Sequence, residues 1–467
     1  MAGIHFYYKN VTSQVLGDAH GISPDQFDKL KNDVEPIIDK LYLQRKDGKT
    51  PYRDLPYDQQ MVNKVKTLTA ELNGRFENLV VLGIGGSALG NIALQTALNP
   101  FMYNMDSNQR KGPRLFVFDN VDPAQLSSFL DWIADKLDKT LFNVISKSGR
   151  TAETAAQFLI IKKLLNDRLG PDAFAKNVLA TTDPAQGTMR KIADEHKLKT
   201  LTVPAGVGGR FSVLSHVGLF SAAMCGIDID ELLAGARDMD QRVAEADFYK
   251  NPAALNAAIN VHYYKNAKPI SVMMPYSYNL KDLSDWYRQL WAESLGKAND
   301  LDGNIVNVGP TPIKALGTTD QHSQVQLYRQ GPNDKLFTFL EVKDLNAPLT
   351  IGPAPDCAPE LDYLNDKPMA NLLNAEKKAT EYALVQDKRP CLTVLFDKIT
   401  PFTVGQFIYF YEVTTSIAGE LLNINTYDQP AVELGKEATF ALMGCDAYAD
   451  LAQKIKPFAE VDQNYLV

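Results

Sequence analysis

Residues 145–154 read Ile-Ser-Lys-Ser-Gly-Arg-Thr-Ala-Glu-Thr, a composition suited to gripping an oxyanion. Ser146, Ser148 and Thr151 supply hydroxyls, and Gly149 permits a tight bend. An apolar run, Leu141 to Ile145, precedes the stretch. Ala156, Leu159, Ile160, Leu164 and Leu165 follow it at helical spacing, so it reads as a strand-to-helix turn. Unpaired amides and the positive end of the helix dipole both favour a phosphate there. The same residues also fit an ordinary N-cap at Thr151, and locally both readings stand.

Other stretches carry comparable chemistry. Gly83-Ile84-Gly85-Gly86-Ser87-Ala88 has the loose dinucleotide form G-x-G-x-x-A between a strand and a helix. The acid that should follow about 20 residues later has only Asp106 to offer, so a glycine turn that admits a small ligand is the alternative. Gly206-Val207-Gly208-Gly209-Arg210-Phe211-Ser212 follows a strand and brings a guanidinium fork suited to oxyanions, or is a flexible turn with a solvated Arg. Gln289 and Glu293, four apart, share one helix face beside an apolar stripe of Leu283, Trp286 and Leu290. Desolvation by such a stripe makes a carboxylate a better base near neutral pH, unless the Glu is simply exposed. His322 sits in a polar run, Thr318 to Gln324, whereas His216 and His262 read as structural. Residues 425–436 form an irregular segment leading into a helix.

These stretches need elements to hold them. Residues 1–75 read as a helical arm, with helices from Pro24 to Leu43 and from Tyr57 to Asn73. From Glu77 strands alternate with helical patterns: Leu79–Ile84, Arg114–Phe118, Leu141–Ile145, Asn177–Ala180 and Thr200–Val203. After a charged break at Asp238 to Pro252, a second alternation places strands at Ile270–Met274, Phe337–Val342 and Leu392–Phe396. Its helices run over Leu280–Gly296, Met369–Val385 and Val404–Leu422. Strands separated by helices mean βαβ units and parallel sheets. The fold class is therefore α/β: two doubly wound parallel-sheet domains, each a three-layer αβα sandwich, over 76–238 and 252–437. A helical segment over 438–467 completes the chain. Ligands in such sheets bind outside the carboxyl ends of the strands, where the Gly83, Ser146 and Gly206 turns fall.

Composition narrows the function. The 467 residues are 45% hydrophobic and 22% charged, ordinary for a globular protein with sizeable cores. Net charge is −8, which argues against nucleic acid as a partner. No apolar run approaches the roughly 18 residues that span a bilayer, and the N-terminus lacks the pattern of a signal peptide; the expectation is a cytoplasmic protein with no membrane partner. Cys225, Cys357, Cys391 and Cys445 are scattered without a C-x-x-C pair, which suggests neither zinc nor a disulfide framework.

Taken together, these stretches resemble the glucose-6-phosphate isomerase family of the sugar-isomerase (SIS) fold. The similarity runs from about Leu79 to Lys436. Val207 to Ser215 is similar to the family's first signature, and Tyr427 to Lys436 to its second, with Ala431 where Gly is usual. The resemblance implies interconversion of glucose 6-phosphate and fructose 6-phosphate, a step of glycolysis and gluconeogenesis, with no metal and no organic cofactor. It implies that Ser146, Ser148, Thr151 and the Lys147 backbone hold the phosphate, and that Gly86, Ser87, Gln289 and Gln429 border the sugar. Glu293 would move the proton between C2 and C1, and Arg210 would stabilise the cis-enediolate. His322 and Lys436 would open the ring, with Glu153 orienting the histidine. It further implies a homodimer in which His322 is donated across the interface. Alternatives are a related sugar-phosphate isomerase, a sugar-phosphate-sensing regulator of the same fold, and a dehydrogenase using the Gly83 turn. A regulator would usually carry a basic DNA-binding helix, and none is visible.

Overall fold

The computed structural model describes residues 3–467, leaving Met1 and Ala2 outside the described residues. The strands in chain order are β1 (Ile4–Tyr7), β2 (Asn78–Leu82), β3 (Arg114–Phe118), β4 (Thr140–Ile145), β5 (Val178–Thr182) and β6 (Lys199–Thr202). They continue with β7 (Ile270–Pro275), β8 (Lys297–Asn299), β9 (Ile305–Val308), β10 (Thr311–Lys314), β11 (Lys335–Asp344) and β12 (Cys391–Lys398). One sheet has the order β3-β2-β4-β5-β6 with every neighbour parallel. The other has the order β1-β12-β11-β7-β10, parallel except where β1 pairs antiparallel with β12.

Counted from β2 in one sheet and β7 in the other, the two sheets share a strand order. The second strand lies on one side of the first, and the third and fourth lie on the other. Where the chain reverses direction, the loops leaving neighbouring strands part and open a crevice at their carboxyl ends. In the first sheet that crevice lies between β2 and β4, from which the Gly83 and Ser146 turns depart.

Burial explains why these segments are strands. Every residue of β2, Asn-Leu-Val-Val-Leu, is buried, as a parallel strand covered on both faces requires. Alternate residues serve opposite layers: Val80, Leu82, Phe142 and Val144 join one core, and Leu79, Val81, Leu141 and Ile145 the other. A third, larger core surrounds the helix Pro401–Leu421, in which nearly every side chain is buried. Such a helix has no solvent face, and its buried hydroxyls, Thr414 and Thr415 among them, donate to its own carbonyls. Its start is set by Thr400, whose hydroxyl accepts from the Thr403 N–H, and by Pro401.

Several expectations are corrected by tertiary contacts. The N-terminal arm is not wholly helical, because β1 extends the second sheet; four residues are too short to show a period. The charged break begins inside the helix Ile229–Val243, continues as a non-helical link over residues 244–251, and ends where Pro252 opens the helix Pro252–Lys265. Asp228 and Asn251 cap them through the N–H groups of Glu231 and Ala254, so their polar residues are caps and an outer face. The position taken as the end of the first unit, Asp238, lies inside the first of these helices. Leu232, Ala236 and Met239 from it pack with Val404 and Phe407 in the core of the second sheet. Strands β8, β9 and β10 went unread because they are short and partly exposed. Near the C-terminus the helix Glu433–Leu442 runs across the expected boundary at 437. Among the described residues no helix is long and apolar enough to cross a membrane.

Candidate active site

At the β2/β4 crevice the turns organise themselves with their own polar groups. Ser146 Oγ, buried, accepts from the Gly149 N–H at 3.0 Å, and Ser148 Oγ accepts from the Arg150 N–H at 3.1 Å. Gly149 takes the left-handed conformation that glycine tolerates, with φ of 70°. Thr151 occupies the N-cap position of the helix Ala152–Leu169, yet its hydroxyl makes no capping hydrogen bond. The helix starts here, and the Thr151 hydroxyl is not engaged as its cap. The first-turn amides precede the first intrahelical bond, so they too are donors for a ligand.

The turn after β2 meets the Arg210 turn with no room to spare. A Cβ on Gly86 would come within 2.0 Å of the Gly209 carbonyl carbon. Only glycine lets these two backbones touch, and the contact carries Arg210 to the crevice floor.

Arg210 is 2% exposed, and its fork is fully engaged. Nε donates to Ser294 Oγ at 2.7 Å. Nη1 donates to Glu293 Oε1 and to Gln429 Oε1, both at 3.0 Å. Nη2 donates to the carbonyls of Thr426 at 2.7 Å and Asp428 at 3.2 Å. Burial pulls its pKa down from the ordinary arginine value, and the Glu293 charge opposes that fall. Glu293, on the helix Lys281–Leu295, receives its second hydrogen bond from Gln289 Nε2 at 2.9 Å, the partner one turn earlier. Lys297 lies behind them. Its ammonium donates to the Glu293 carbonyl at 3.0 Å and to the Asp428 carbonyl at 2.7 Å. Burial, and after it the like charge of Arg210, lower the Lys297 pKa. On the helix Glu433–Leu442, Lys436 Nζ donates to Glu433 Oε1 at 2.7 Å.

Arg210, Gln289, Glu293, Gln429, Glu433 and Lys436 line one cavity of about 740 Å³. Of the residues singled out in the sequence, Gly86, Ser87, Ser148, Thr151, Glu153, Arg210, Gln289, Glu293, Gln429 and Lys436 border it. Ser146, Lys147 and His322 do not. Ser146 Oγ braces the turn through the Gly149 N–H, and the Lys147 carbonyl accepts from the Thr182 hydroxyl at 3.2 Å. His322 lies on the one-turn helix Thr319–His322 beyond β10. Several contributors, Lys297 among them, escaped the sequence reading. Arg150 was in the quoted stretch without a role, and Glu433 sits three before Lys436, a spacing that pairs charges on a helix. The carbonyls of Thr426 and Asp428 leave no sequence signal. Among the described residues no three His, Cys, Asp or Glu side chains gather as a metal-binding group.

A wall of hydroxyls and helix amides facing a carboxylate and a guanidinium suits an anionic substrate that loses and regains a proton. The family model for phosphoglucose isomerase matches residues 58–343 and 367–447. The chain belongs to the phosphoglucose isomerase family. Among curated relatives of this family, the glucose-6-phosphate isomerase of Carboxydothermus hydrogenoformans is 45% identical over 96% of this chain and 95% of its own. That of Rubrobacter xylanophilus is 43% identical over 79% of this chain and 83% of its own. A solved structure of a hypothetical protein from Thermus thermophilus aligns with a TM-score of 0.81 and 32% identity, covering 94% of this chain and all of that one, 100%. The phosphoglucose isomerase family model leaves residues 344–366 unmatched.

Proposed function

We propose that this protein interconverts glucose 6-phosphate and fructose 6-phosphate through a cis-enediolate after ring opening. The observation that carries the reading is the single cavity in which a Ser148–Thr151 anion grip faces the Glu293–Arg210 pair. The phosphate seats on the Ser148 and Thr151 hydroxyls and the first helix amides, with the buried Ser146 and the Lys147 backbone shaping the turn. Its binding energy, remote from the reacting carbons, orients them. Gly86, Ser87, Gln289 and Gln429 border the sugar.

A hydrogen beside a carbonyl is weakly acidic, so the base must be close and the enediolate oxygen must meet a fixed charge. Glu293 moves the proton between C2 and C1. In the free enzyme its Oε1 occupies Arg210 Nη1. A substrate oxygen that takes over Nη1 places the developing negative charge on the guanidinium and releases the carboxylate toward the carbon. Lys436 assists ring opening together with His322. Because His322 is absent from its own chain's cavity wall, we assign it to the cavity of a second subunit, oriented there by Glu153, so the competent unit is a homodimer. The two sheets are then the centres of two SIS domains, with the N-terminal arm and C-terminal helices packed around them. No cofactor, nucleic acid or membrane enters this scheme, and the cytoplasm is where its substrate class is handled.

The test is a coupled assay with fructose 6-phosphate supplied and glucose 6-phosphate detected. Wild type turns over, and Glu293→Gln loses on the order of a hundred-fold or more in kcat, the scale of a missing general base. An inactive wild type, or a fully active Glu293→Gln, refutes the proposal. A change in nicotinamide absorbance with no coupling enzyme present would point instead to the dehydrogenase alternative.

A further inference from the structure

The charge on the cavity wall does not suit a dianion as the sequence alone suggests. Three cations border it, Arg150, Arg210 and Lys436, against four carboxylates, Glu153, Glu293, Glu433 and Glu437. Two of those cations are already committed. Arg210 is paired with Glu293, and all its remaining donors are used within the protein. Lys436 is paired with Glu433. Lys147 lies off the wall. Among the described residues Arg150 is the one cation on this wall that forms no ion pair and no side-chain hydrogen bond, and its backbone N–H is fixed by Ser148 Oγ.

We infer that the Arg150 guanidinium closes on the phosphate of the bound sugar and sets the enzyme's preference for a dianionic substrate. The inference rests on the isomerase reading for the identity of the sugar, but its chemistry is that of a phosphate dianion on any small molecule. Hydroxyls and amides can grip an uncharged group or a monoanion nearly as well. A guanidinium fork matches two phosphate oxygens at once and rewards the second charge. Arg150 precedes the N-cap residue Thr151, so its fork, the Thr151 hydroxyl and the helix amides approach one anion from adjoining sides. Its stem is exposed. It can therefore lie open in the free enzyme and swing onto the phosphate without breaking a prior contact.

The experiment compares wild type with Arg150→Ala, Arg150→Gln and Arg150→Lys. Two readouts are needed: KM and kcat for fructose 6-phosphate at low and high salt, and binding of inorganic phosphate by titration calorimetry, which requires no turnover. Losing a charge-assisted contact raises KM and weakens phosphate binding by about 10- to 100-fold. The Ala and Gln variants show this with kcat within about two-fold of wild type, as removal of uniform binding predicts. Lys restores part of the loss, and the salt dependence of KM flattens in Ala and Gln. An active wild type whose KM and phosphate affinity are untouched in both neutral variants overturns the inference. So does a fall in kcat at constant KM, which would make Arg150 a prop for the loop. An inactive wild type whose phosphate affinity still depends on Arg150 would refute the isomerase reading and leave this contact standing.

Discussion

Arg210 and Glu293 define each other in the free enzyme. Each is the other's partner at 3.0 Å, and Ser294 and Gln289 complete their hydrogen bonds. Lys297 adds a constraint that neither makes alone, because one ammonium ties the carbonyl of Glu293 to the carbonyl of Asp428, the neighbour of Gln429. It is a positioning residue, buried at 6% side-chain exposure and out of reach of the substrate. Lys297→Met keeps the stem and removes the tether. Small misplacements of reacting groups cost rate more than affinity, so kcat falls by about 10- to 100-fold while KM for fructose 6-phosphate stays within about three-fold. Lys297→Arg recovers part of the rate. A KM effect equal to the kcat effect would place the residue in binding instead.

The elements are joined by a buried polar junction that the site does not use. Asp240, on the helix Ile229–Val243, accepts from Arg45 at 2.8 Å, Arg53 at 3.1 Å, Tyr57 at 2.7 Å and Tyr409 at 2.5 Å. It thereby pins the N-terminal arm to the helix Pro401–Leu421. Burial alone would raise the Asp240 pKa, but the hydrogen bonds from Tyr409, Arg45 and Tyr57 and the charge of Arg53 outweigh it, and the net shift is downward. A depressed carboxyl stabilises the fold at pH above its unfolded value, about 3.9. That contribution is lost as pH falls through the lower folded value. Asp240→Asn leaves the buried Arg53 without its counter-charge, while Arg45 keeps Asp54, and destabilises by about 3 to 5 kcal/mol at neutral pH. In urea titrations the gap between variant and wild type narrows as pH drops below about 4. A gap that is constant with pH would show that the charge is not the source.

For the whole molecule, the question is where the missing ring-opening group comes from. The cavity assembles its wall from the first sheet's turns, the helix Lys281–Leu295 and the C-terminal segment, yet His322 stays on the turn beyond β10. If each site joins Glu293 of one subunit with His322 of another, the inactive variants His322→Ala and Glu293→Ala complement when refolded together. In a random mixture of symmetric dimers half the molecules are mixed and each mixed dimer has one whole site, so about a quarter of the wild-type activity returns. No recovery, with mixed dimers demonstrated by native mass spectrometry, would confine the site to one chain.

Local signals were enough for the β-strand and helix succession around the Ser146, Gly83 and Arg210 turns, because each depends on residue types within a few positions: an apolar run, a glycine, a helical period. The two family signatures were legible for the same reason. Sequence could not reveal that β1 closes the second sheet, that the helix after Asp228 serves the second core, or that Arg210 spends its charge on Glu293 while Arg150 is left without an ion pair. Those outcomes depend on which side chains meet from distant parts of the chain. Pairing of charges is settled by distance in space, and spacing along the chain measures that distance only within a single turn or helix.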